Sequence, residues 1–208
     1  MISFFAGLGL GLSLIVAIGA QNVYVLRQGI RRQHVLAVVA ICALSDAVLI
    51  AAGVAGLGFL LQAAPWLVTA ARLLGALFLL GYAALAARRA LKGTEEGLRI
   101  ESTSAKTTSS GLVPVILAAL ALTWLNPHVY LDTVLMLGSI AATHGEHRWV
   151  FAGGAIVASI VWFTTLGYGA RYLGKWLKTA RAWRILDAVI AVVMLSIAIN
   201  LLLPVFIG

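Results

Sequence analysis

An all-α integral membrane protein, with six transmembrane helices arranged as two inverted three-helix repeats and helices 1 and 4 interrupted, is the fold that three observations predict. The 208 residues are 62% hydrophobic and 11% charged, with a mean hydropathy of +1.03, too apolar for a water-soluble domain. The apolar blocks reach about 20 residues or more, the length a helix needs to cross a bilayer core, which excludes a barrel of short alternating strands. Short motifs of the first half also recur, in order, in the second.

The spans fall at about 3–26, 34–61, 66–90, 112–141, 149–172 and 184–206. The first opens on Met1-Ile2-Ser3-Phe4 without a basic region and runs far past a signal-peptide core, so it is read as a retained helix. The second holds Asp46 and Cys42, the lone cysteine, which rules out disulfides and cysteine-ligated metal sites. The third ends at Arg88 and Arg89. The fourth is interrupted by Asn126-Pro127-His128. The fifth follows Arg148, and the sixth follows a basic connection.

The net charge of +8 does not point to nucleic acid, because its placement is a topology signal. Arg27, Arg31 and Arg32 lie in the first connection, five basic residues from Arg88 to Lys106 in the third, and five from Arg171 to Arg184 in the fifth, together thirteen of the 15. The positive-inside rule puts these connections in the cytoplasm and both termini outside. Residues 92–111, rich in Ser, Thr and Lys, have no apolar stripe and read as a solvated, partly disordered cytoplasmic linker between repeats 1–91 and 112–208.

The repeat rests on three matches. Val23-Tyr24-Val25-Leu26 corresponds to Val129-Tyr130-Leu131, Ser45 and Gly53 to Ser159 and Gly167, and Arg72-Leu73-Leu74 to Arg184-Ile185-Leu186. An odd number of spans per copy forces opposite orientations, and transporters built this way hold substrate near the midplane between discontinuous helices. Gly19-Ala20-Gln21-Asn22 and Asn126-Pro127-His128 are the candidate breaks. Pro127 lacks an N–H and clashes with the preceding turn, so the carbonyl near Thr123 is expected to lose its helical partner.

Polar groups inside the spans mark the candidate site, because lipid cannot satisfy them. Asp46, in mid-span, needs a partner: a cationic substrate or a proton, or, as the structural alternative, Arg72. Asp132 and Asp46 would give two carboxylates to a ligand with two cationic centres. His128 could relay protons. Asp187 is set aside, since at the start of the last helix, beside Arg181 and Arg184, it suits the helix dipole. Recurrent glycines such as Gly7, Gly9 and Gly11 allow close helix packing, a homodimer face included.

Gly19-Ala20-Gln21-Asn22 followed by Val25-Leu26-Arg27-Gln28-Gly29, and Thr123-Trp124-Leu125-Asn126-Pro127-His128-Val129-Tyr130-Leu131-Asp132-Thr133, resemble the LysE superfamily, nearest its lysine/arginine exporter branch. The resemblance covers essentially the whole chain. It implies a transporter rather than an enzyme, exporting lysine or arginine across the bacterial inner membrane under an ion gradient, with no cofactor. Gln21, Asn22, Asp46, Asn126, Pro127, His128, Tyr130 and Asp132 are then the candidate substrate-binding residues, and Asp46, His128 and Asp132 the candidate proton carriers. Export of neutral amino acids or of a cation on the same fold is the alternative. Metal transport would call for several clustered ligands where only Asp46, His128 and Asp132 stand. An intramembrane hydrolase would call for a Gly-x-Ser-x-Gly or His-Glu-x-x-His motif, and neither is present.

Overall fold

A computed structural model of the protein describes residues 1–17, 19–58, 63–92, 111–174 and 179–206. The expected linker lies almost wholly outside the described residues. All the described elements are helical: α1 (Ile2–Ile15), α2 (Ala20–Arg31), α3 (Val35–Val54), α4 (Pro65–Lys92), α5 (Leu112–Trp124), α6 (Pro127–Thr143), α7 (Arg148–Leu173) and α8 (Ala180–Phe206). Four of them, α3, α4, α7 and α8, are long and apolar enough to cross a membrane alone. The α1–α2 pair, bent by 83°, and the α5–α6 pair, bent by 55°, bring the candidate spans to six if each pair makes one.

Local sequence explains the ends. Arg32 and His34 both take left-handed backbone conformations, uncommon without glycine. They turn the chain between α2 and α3, where Gln33 N–H returns to the Gln28 carbonyl at 3.2 Å as in a Schellman cap. Pro127 occupies the first turn of α6, where its missing N–H leaves no donor unpaired. Beyond it the helix widens to a π-helix over Tyr130–Leu137, a form concentrated at functional sites.

The helices pack as two long pairs, α4 against α8 and α1 against α7, with α3 between α5, α6 and α7. One apolar cluster gathers residues of six helices, among them Val25, Val38, Leu79, Leu122, Phe163 and Met194. A second joins Ile50 and Val54 of α3 to Leu137 of α6 and Phe151 of α7. Outward-facing Leu36, Leu77 and Val192 are largely exposed, as lipid contact requires.

Glycines set the closest crossings. A Cβ at Gly138 would stand 2.6 Å from the Gly53 carbonyl oxygen, and one at Gly29 would collide with the Gly167 carbonyl. Only glycine lets these backbones meet. Gly75 likewise lets α4 press on the Leu125 carbonyl, at the break between α5 and α6.

Candidate functional site

Each break is held by its own asparagine. Asn22 donates from Nδ2 to the carbonyls of Ile15, at 2.8 Å, and Ala17, at 2.7 Å, closing the end of α1, while its Oδ1 accepts the Trp162 indole N–H from α7 at 3.2 Å. Asn126 caps α6, its Oδ1 accepting the His128 N–H at 3.1 Å. This corrects the expected effect of Pro127. The Thr123 carbonyl keeps a partner, the Asn126 N–H at 3.3 Å. The displaced acceptor is the Trp124 carbonyl, whose helical donor has gone to Asn126 and which takes the Tyr130 hydroxyl at 2.7 Å instead.

Between the breaks lies Asp46, 6% exposed on α3. The Ser159 hydroxyl of α7 donates to it at 2.7 Å. Among the described residues it forms no ion pair, so the alternative of a structural bond to Arg72 is not realised. One residue earlier, Ser45 accepts the Trp124 indole N–H at 3.1 Å, tying the second break to α3. From the first break, buried Gln21 faces the Cys42 thiol, one turn before Asp46, and among the described residues its amide nitrogen has no oxygen acceptor. Ala20 and Asn126, at the two breaks, line one small cavity of about 10 Å³, room for about one water.

The remaining candidates stand apart. His128 is exposed, and Asp132, in the π-helix, is half-buried; among the described residues the imidazole and the carboxylate have no hydrogen-bond or charged partner. No three His, Cys, Asp or Glu among the described residues gather to hold a metal ion. A buried carboxylate with a neutral hydroxyl partner, such as Asp46, is a group whose charge a cation or a proton would compensate.

Asp187 departs from its expected role. It is 4% exposed and pairs not with Arg181 or Arg184 but with Arg27 of α2, at 3.1 Å, and Arg89 of α4, at 3.4 Å. Arg184 donates instead to the carbonyls of Ala90 and Leu91 at the end of α4. Arg27, expected in a connection, is buried inside α2 and also reaches the Tyr82 hydroxyl at 3.3 Å. The signal lay in helical spacing: Tyr24, Arg27 and Gln28 repeat at three and four residues, one polar face continuing from Gln21.

The sequence matches the LysE type translocator family over residues 12–204. It is 47% identical over 191 residues to a putative amino-acid transporter of Mycobacterium tuberculosis, covering 92% of each chain. To the lysine exporter LysE of Corynebacterium efficiens it is 40% identical over 223 residues, 96% of this chain and 98% of that one. To the arginine exporter protein ArgO of Salmonella schwarzengrund it is 44% identical over 204 residues, 97% and 94% of the two chains. No solved structure matches.

Proposed function

We propose that this chain, which belongs to the LysE translocator family, exports lysine or arginine from the cytoplasm of a bacterium in exchange for protons, through a site between its two broken helices. Asp46 carries the reading. A buried carboxylate with only a neutral hydroxyl beside it is unfavourable in a membrane protein unless a cation or a proton compensates it, and a basic side chain and a proton are the two cations such an exporter alternates. The relatives named as lysine and arginine exporters, matched along nearly their full length, point to the same substrates.

The inverted repeat and midplane site belong to this proposal, and the packing supports them. Gly53 of α3 meets Gly138 of α6 as Gly167 of α7 meets Gly29 of α2, a pairing that a twofold exchanging the two halves would produce. On this reading Gln21 and the first turn of α2 receive the substrate carboxylate, Asp46 its cationic end, and Asn22, Asn126, Pro127 and Tyr130 shape the breaks. His128 and Asp132 serve proton movement. Both termini face outward and the basic connections inward. Gly9 and Gly153, with open space where a Cβ would stand, offer a face to a second copy.

A basic amino acid leaving a negative-inside cell moves against about 2.3 kcal/mol per charge per 100 mV, so concentrative export needs an inward ion. Proteoliposomes loaded with labelled lysine, arginine, threonine or a divalent cation test the proposal. Lysine or arginine is expected to leave, and collapse of the proton gradient to stop uphill export while sparing exchange. Efflux of threonine or of the metal alone would refute the basic substrate, and uphill export unaffected by the collapse would refute proton coupling.

A further inference from the structure

The cluster around Asp187 holds more positive charge than it neutralises. Two guanidiniums, of Arg27 and Arg89, share one carboxylate, and two of their buried nitrogens, Arg27 Nε and Arg89 Nη2, have no acceptor among the described residues. Arg27 is 6% exposed, too deep for water to compensate it freely, and buried donors left without acceptors are costly. Each arginine ties its own helix to α8 through Asp187, and the three groups together keep a net positive charge. Beside it Gln28, also buried, has an unpartnered Oε1, an acceptor for an ammonium. The Arg89 side chain, 28% exposed, leaves one side open.

We infer that Arg27 and Arg89 form a second substrate station that takes the carboxylate of the amino acid, distinct from the site at Asp46. Arg27 lies six residues beyond Gln21 on α2, a rise of about 9 Å, and Gln21, Tyr24 and Gln28 form one stripe between the two places. By the basic-residue distribution this is the cytoplasmic end, so the station meets the substrate before the Asp46 site does. The free donors, Arg27 Nε and Arg89 Nη2, one from each guanidinium fork, suit the two oxygens of one carboxylate through charge-assisted hydrogen bonds. The inference rests on the amino-acid substrate proposed above.

Arginine and agmatine, which keeps the guanidinium and lacks the carboxylate, provide the test, read as ligand-dependent thermal stabilisation of the full chain purified in detergent. Wild type is expected to bind arginine more tightly by about tenfold or more, as loss of charge-assisted hydrogen bonds would produce. Arg89→Gln is the informative change, because Arg27 still neutralises Asp187, and it is expected to lower that preference several-fold, leaving the part that Gln21 and the first turn of α2 supply. Arg89→Lys keeps the charge without the fork and should fall between the two. An arginine that only held helices together would weaken both ligands alike and leave their ratio at the wild-type value. That result overturns the inference, as does a wild type that binds both equally. If Arg89→Gln does not fold, Arg89→Lys decides on the same criterion. Should threonine stabilise the protein and arginine not, the basic-substrate reading falls, and threonine against 1-aminopropan-2-ol, its decarboxylated form, puts the same question to Arg89. Stabilisation by no amino acid overturns both.

Discussion

Two aspartates are buried to nearly the same extent in this protein, and their surroundings are opposite. Asp46 has a hydroxyl and no cation; Asp187 has two cations for its one charge. One site is short of positive charge and the other of negative charge. An amino acid with a basic side chain carries both missing charges, so on the proposed reading one carboxylate serves the ligand directly and the other organises the guanidiniums around it.

Breaking the second site should have the largest effect on stability. Asp187→Asn leaves two guanidiniums facing each other without an anion, and a loss of about 3–5 kcal/mol is expected, read by thermal unfolding in detergent. A variant as stable as wild type would show that the pairing matters little. Asp46→Asn should do the reverse: stability within about 1 kcal/mol, since the amide oxygen still accepts the Ser159 hydroxyl, and loss of export from proteoliposomes. Normal export by that variant would remove Asp46 from the mechanism. Ser159→Ala should lower stability by about 1–2 kcal/mol and weaken cation binding without abolishing it; complete loss of export would make the hydroxyl itself a substrate ligand. Tyr130→Phe, which deprives only the Trp124 carbonyl, should lower stability by about 1 kcal/mol and leave ligand preference unchanged. A changed preference would bring Tyr130 into contact with substrate.

The spans were legible because lipid imposes one rule on long stretches: the third, expected at about 66–90, is α4 at Pro65–Lys92, and the fifth, at about 149–172, is α7 at Arg148–Leu173. The break at Pro127 was legible from covalent chemistry alone. The acceptor it displaces was not, because that depends on Asn126 taking the His128 N–H, a choice of side-chain rotamer. The partners of Asp187 were hidden for a related reason. A charge just past an apolar block reads as a connection, yet α2 continues to Arg31 and α4 to Lys92, carrying Arg27 and Arg89 inward as helical residues. Their separation from Asp187 along the chain then left the helix dipole as the nearer explanation for its charge. Asp46 was identified as a buried group needing a partner, but only packing could decide between Arg72 and Ser159.

The contacts of Gly53 with Gly138 and of Gly167 with Gly29 have a mechanical consequence. Where backbone rests on backbone, there are few interlocked side chains to lift out of one groove and seat in another, so a small rotation about such a contact meets little steric resistance. α3 and α7 each carry one of these smooth contacts, opposite a segment that follows a break. Sliding there is opposed mainly by the apolar clusters, to which α2 contributes Val25 and α6 contributes Leu137.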